Sequence, residues 1–195
     1  PIKELNVWGT VFRPELFSGG TETKLARLAA VLPRRQKLAK AGKPHLHPAK
    51  LLSLMDHLSL ELDPDRYMPY FDRLAAGHGV QLVGDITPNY SALEASHFTA
   101  IRQRVEAAGY ALKVVFLMRD PVERAYSAMK MADRNAATQG KGRDPIPAHH
   151  RFVEDAKRDW CEIRTRYERT IPALEAAFEP DQLYFEFFES FFKNI

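Results

Sequence analysis

The sequence predicts an α/β fold, with a central, mainly parallel sheet flanked by helices. Three observations carry that prediction. Strand-like runs alternate with helical patterns along most of the chain, the order that lays helices onto a parallel sheet. The apolar run Leu112–Met118 does not alternate with polar residues, as suits a strand covered on both faces. That run then passes through Arg119 directly into Asp120 and Pro121, a helix start. At 195 residues, 45% hydrophobic and 27% charged, the chain suffices for one domain, 1–195, with a core of its own.

The elements follow in order. Ile2–Trp8 reads as a short strand with a charged pair inside it, and Val11–Gly20 as a loop. Thr21–Gly42 is a basic, alanine-rich helical stretch broken at Pro33. KPHLHP, Lys43–Pro48, is a linker, and Ala49–Leu60 is apolar at helical spacing. Asp63 caps a further helix, with Pro64 in its first turn and Gly77 near its end. Val80–Val83 is a short buried strand. Ser91 and Glu94 form a capping box, opening a helix that carries Ile101, Val105 and Ala108 on one face and stops at Gly109. After the strand Leu112–Met118, Asp120 caps a helix with Pro121 first and Glu123 third. Gln139–Pro147 is a polar loop. One long helix then carries Phe152, Ala156, Trp160, Ile163 and Tyr167 on a stripe, and Leu183–Phe187 is the last strand.

Charge and cysteine content narrow the function classes. A net charge of +3 is too weak to argue for nucleic acid and suits a small anionic ligand. The lone cysteine, Cys161, allows no internal disulfide. No apolar run approaches the roughly 18 residues of a membrane span, and no signal peptide is visible. The alanine- and arginine-rich composition points to a bacterial, cytoplasmic protein.

The chemistry gathers where strands end. Arg119 leaves the C-terminal end of the strongest strand and Ser127 lies about two turns into the next helix. In an open α/β sheet that junction faces the ligand crevice, and a guanidinium fork plus a hydroxyl suits a phosphate monoester. The plainer alternative, which spacing alone favours, pairs Arg119 with a nearby carboxylate and packs Ser127 on the sheet. Asp120 and Arg124, four apart, suit a helix-start ion pair. VGDITPNYSAL, Val83–Leu93, offers a second strand end with Asp85. There the alternative is turn chemistry, since Asp before Thr-Pro commonly opens a loop.

GDITPNYSAL followed by a helix and VVFLMRDPVERAYSAM resembles the sulfotransferases that use 3′-phosphoadenosine 5′-phosphosulfate, in the branch with carbohydrate, tyrosyl-protein and many bacterial enzymes. Two further segments match in order: KELNVW, Lys3–Trp8, is similar to the family's "KE" strand, and Tyr167–Phe192 to its later helix, strand and acidic turn, with Glu189 at the acid. The resemblance covers somewhat less than half of the chain. It implies a P-loop-like three-layer core, a sulfuryl donor that needs no metal, and a hydroxyl or amine acceptor, carbohydrate or small molecule. It implies that Arg119 and Ser127 bind the donor's 3′-phosphate and that Glu4 is the catalytic base. The family's lysine-bearing loop for the 5′-phosphosulfate comes before the KE strand. It is therefore expected outside residues 1–195, as is the basic loop that closes over the nucleotide, and these residues alone are expected to be a poor catalyst. Glycosaminoglycan enzymes often carry lysine where Ile86 stands, so their acceptor contacts do not transfer.

Other motifs read as ordinary surface. SGGTETK, Ser18–Lys24, puts its lysine after the hydroxyl residues, contrary to a phosphate loop, and reads as a surface turn. His45 and His47 lack a third metal ligand at fitting spacing, as do His149 and His150; His45 is the reserve candidate for a base. Arg34–Lys43 is a solvated basic face, or an attractor for an anionic acceptor. Two rival classes remain: a P-loop-type kinase or NTPase with Asp120 on magnesium, and a non-catalytic binding protein.

Overall fold

Asn6 ends the expected first strand before it forms. In the computed structural model, which describes residues 4–17, 19–40, 48–138 and 148–193, Glu4 and Asn6 are both left-handed, at φ 57° and 52°. Neither conformation belongs to a strand. The chain kinks there and enters helix α1, Val7–Phe12, so the described part of the expected strand Ile2–Trp8, residues 4–8, is corrected from strand to kink and helix. Gly9 is required in α1: a Cβ at that position would collide with Asn6 Oδ1. Helix α2, Pro14–Phe17, occupies part of the expected loop Val11–Gly20.

Helix α3, Gly19–Lys40, runs through Pro33 instead of breaking there. Pro33 is exposed, as is Ala29 four residues earlier, so the carbonyl that loses its donor faces water. SGGTETK is accordingly no surface turn: its described part is the first turns of α3. Helix α4 is Pro48–Leu62. Asp63 then caps as expected, its side chain accepting from the Asp65 N–H, and a 3₁₀ turn at Pro64–Arg66 leads into α5, Tyr67–Ala75. The expected buried strand Val80–Val83 does not form: the segment has no ladder partner among the described residues. Leu82 is 88% exposed. A 3₁₀ turn at Pro88–Ala92 follows.

Two compact units divide the chain, Pro1–Leu93 and Glu94–Ile195. The described part of the first is helical and closes around aromatic rings: Trp8 lies 4.7 Å from Tyr67 by ring centroids, and Tyr67 4.8 Å from Phe71. Leu5, Val7, Phe17, Leu58 and Leu60 complete that core.

The second unit opens with α6, Ala95–Ala107. Its capping box is Glu94 with His97, not Ser91 with Glu94; the Ser91 hydroxyl donates to the Pro88 carbonyl instead. Gly109, at φ 84°, closes α6, with the Tyr110 N–H bonded back to Val105. Strand β1, Val114–Met118, leads to α7, Pro121–Thr138, capped as predicted by Asp120, whose Oδ1 accepts from the Glu123 N–H at 2.9 Å. The expected single long helix is three: α8, Ala148–Ala156; α9, Asp159–Glu162; and α10, Tyr167–Ala177. The turns that part them are stapled by Arg158 N–H to Asp155 O and Thr165 N–H to Glu162 O. Strand β2, Leu183–Phe187, runs parallel to β1 with Val114 opposite Leu183 and Met118 opposite Phe187. Helix α11, Phe188–Phe191, follows. The core lies between α6 and α10, where Phe98, Val105, Leu174, Ala177 and Phe178 are buried. Phe116 of β1 meets Tyr167 of α10 edge-on at 5.7 Å.

The predicted α/β, P-loop-like three-layer fold with a central, mainly parallel sheet does not form. The chain is mostly helical, and its sheet among the described residues is one parallel pair. The reason lies in the failed strands: the chain kinks at Glu4–Asn6, Val80–Val83 finds no neighbour among the described residues, and Val115 on β1 stays 58% exposed where a central strand would be covered. Among the described residues no helix is long and apolar enough to cross a membrane.

Candidate functional site

The candidate donor-site residues lie in the second unit. Arg119 follows β1, and its peptide is clamped by Tyr167: the Arg119 N–H donates to the phenol oxygen at 3.2 Å, and the phenol donates to the Arg119 carbonyl at 2.9 Å. The guanidinium carbon sits 5.4 Å above the Phe188 ring. Nη2 is 3.5 Å from Glu123 on α7, and Nε is 3.7 Å from Glu189 on α11. Both are long for charged pairs, and Nε makes no hydrogen bond among the described residues. The arginine is therefore held in place from below while its donor fork is only loosely occupied.

Ser127 is exposed on α7, four residues after Glu123 and so on the same helix face one turn further along. That face carries the carboxylate Arg119 touches. The plainer sequence alternative is half met: Arg119 does face carboxylates, but Ser127 is not packed away. Arg124 turns to the Cys161 carbonyl at 3.4 Å; burial, ahead of any other influence, lowers its pKa. Sequence reasoning missed Tyr167, Phe188 and Glu123 as neighbours of Arg119. Only Glu189 carried a signal, through its place in the acidic turn.

Glu4 belongs to the first unit, half-buried at the kink. The carbonyl of Leu5, one residue on, lies 2.6 Å from His57 Nε2 on α4. His57 is in turn 3.6 Å from Glu61 Oε1. Glu61 is buried, its side chain 1% exposed, and it accepts from the Lys24 ammonium and, at 2.8 Å, from the Thr21 hydroxyl, both on α3. Thus the lysine of SGGTETK serves a buried ion pair. Burial, then the Lys24 charge, lowers the pKa of His57, against the Leu5 carbonyl, Glu61 and Asp85.

Asp85 follows its turn-forming alternative and adds to it. Its Oδ1 accepts from Thr87 at 2.6 Å, and its Oδ2 from Tyr90 at 2.6 Å and Tyr67 at 3.1 Å. Ile86 beside it points outward, 81% exposed. Burial, reinforced by the Asp85 charge, raises both phenols well above their ordinary pKa. The sign is clear: stability tied to the protonated phenols is intact below the ordinary tyrosine pKa of about 10 and is lost as pH rises through the folded values. In an alkaline absorbance titration, the late-ionising phenol fraction should vanish in the Tyr67→Phe/Tyr90→Phe variant. An unchanged late fraction would refute the assignment.

His45 and His47 lie outside the described residues, as do Lys3, the loop Gln139–Pro147, and the side chains of His149, His150 and Trp160. Most of the basic face Arg34–Lys43 is likewise undescribed in its side chains. Among the described residues no cluster of three or more His, Cys, Asp or Glu is arranged to hold a metal ion. Comparison with family models, curated proteins and solved structures gives no match.

Proposed function

We propose that the chain is a sulfotransferase moving a sulfuryl group from 3′-phosphoadenosine 5′-phosphosulfate to a hydroxyl or amine acceptor, a carbohydrate or small molecule. The observation that carries this is Arg119. Its backbone is clamped by Tyr167, its guanidinium is loosely paired, and it adjoins the α7 face that bears Ser127. Such a fork suits a 3′-phosphate. In the reaction the acceptor oxygen or nitrogen forms a bond to sulfur while the bond from sulfur to the 5′-phosphate oxygen breaks. Adenosine 3′,5′-bisphosphate leaves with the electron pair, and Glu4 takes the acceptor's proton.

The kinase-like alternative loses support because Asp120 spends Oδ1 on the helix cap. The non-catalytic alternative draws support from the two carboxylates already beside Arg119.

Thermal stabilisation separates the three. Adenosine 3′,5′-bisphosphate at 100-fold its Kd should add about 2.7 kcal/mol, a rise of roughly 5–10 °C in Tm, with or without magnesium. A rise only with ADP and magnesium would favour the kinase. No rise with either would favour the binding protein.

A further inference from the structure

A glutamate at φ 57°, such as Glu4, is disfavoured, because its Cβ crowds the following carbonyl. Such a residue persists where its surroundings over-determine it, and residues of that kind concentrate at functional sites. Here the kink is pinned from two parts of the first unit. His57 Nε2, on α4, meets the Leu5 carbonyl at 2.6 Å. From the 85–92 segment, Thr87 Oγ1 accepts from the Asn6 N–H at 3.2 Å, and Asn89 Nδ2 donates to Asn6 Oδ1 at 3.1 Å. Leu5 and Val7 are sunk in the core on either side of Asn6. Of the three polar contacts, His57 acts nearest to Glu4.

His57 is itself fixed. Its side chain is 13% exposed, and Glu61, locked to Lys24, stands beside Nε2. A carbonyl only accepts, so Nε2 carries the proton; with its pKa lowered by burial and Lys24, the ring is neutral around pH 7.

We propose that His57 is a positioning residue for Glu4: its Nε2–H, bonded to the Leu5 carbonyl, holds the 4–6 kink that sets where the Glu4 carboxylate stands. This rests on the reading of Glu4 as the base of the transfer. The device has a chemical rationale, since a base displaced by about 1 Å loses on the order of 100-fold in rate while substrate binding persists.

The test follows conversion of the sulfuryl donor to adenosine 3′,5′-bisphosphate by the full chain, with D-glucose and with water as acceptors. Glu4→Gln and His57→Leu should each lower kcat about 10- to 100-fold and leave the KM for the donor within about twofold. His57→Gln, whose amide N–H can donate to the same carbonyl, should restore much of the lost kcat. If Glu4→Gln is inactive but a folded His57→Leu keeps full kcat, the positioning role fails and the base reading survives. If Glu4→Gln keeps its kcat, the base reading fails and takes this inference with it. Should His57→Leu not fold, His57→Asn carries the same test, because its shorter amide falls short of Leu5. Equal activity of the Asn and Gln variants would then overturn the proposal.

Discussion

Arg119→Ala weakens binding of adenosine 3′,5′-bisphosphate by about 10- to 100-fold, the loss of one or two charge-assisted hydrogen bonds. Binding of adenosine 5′-phosphate, which has a 3′-hydroxyl, changes by no more than about twofold. Titration calorimetry on both ligands checks the contrast. The prediction follows from how the residue is held. Tyr167 fixes the Arg119 peptide through its N–H and its carbonyl, so truncating the side chain leaves the strand end in place. What goes is the guanidinium, whose carboxylate neighbours stand 3.5 and 3.7 Å away. Those neighbours compete with a phosphate for the same donors. Glu123→Gln with Glu189→Gln should therefore tighten binding of the bisphosphate. An equal loss for both nucleotides in Arg119→Ala would make the arginine structural.

Glu61→Ala destabilises the fold by about 3–5 kcal/mol, the usual consequence of leaving one partner of a buried ion pair behind. Tm falls on the order of 10 °C. The side chains concerned are 1% and 17% exposed, so solvent screens little of the loss. Thr21 loses its acceptor at the same time. Replacing both charges, Glu61→Leu with Lys24→Met, should recover much of the stability, since apolar packing commonly does as well as a buried pair. Thermal denaturation of the two variants decides it: a loss under about 1 kcal/mol for Glu61→Ala would mean that water or another carboxylate compensates Lys24.

What could be read from the sequence was local. The start of α7 was legible because Asp120 accepts from the Glu123 N–H and Pro121 suits the first helical position, all within three residues. The Asp63–Pro64 start and the end of α6 at Gly109 were legible for the same reason. The kink at Glu4–Asn6 was not, because its fixing partners, His57, Thr87 and Asn89, are 52 to 83 residues away. An apolar run such as Val80–Val83 reads as a strand whether or not a neighbour exists, and none of the described residues pairs with it. Among the described residues two strands of the expected sheet form, so the fold class differs although β1 and β2 lie where the sequence put them. At the candidate site, Arg119 at a strand end was legible. Tyr167, which holds its peptide, was 48 residues off and gave no sign of it.

The close approach of Gly9 to Asn6 has a consequence for inheritance. A side chain at position 9 would evict the Asn6 carboxamide, which would then lose Asn89. Drift at Gly9 is thus fenced in by a partner three residues earlier and another eighty residues later. Among descendants of this gene the three positions should change together or not at all, a heritable unit written in three separate places.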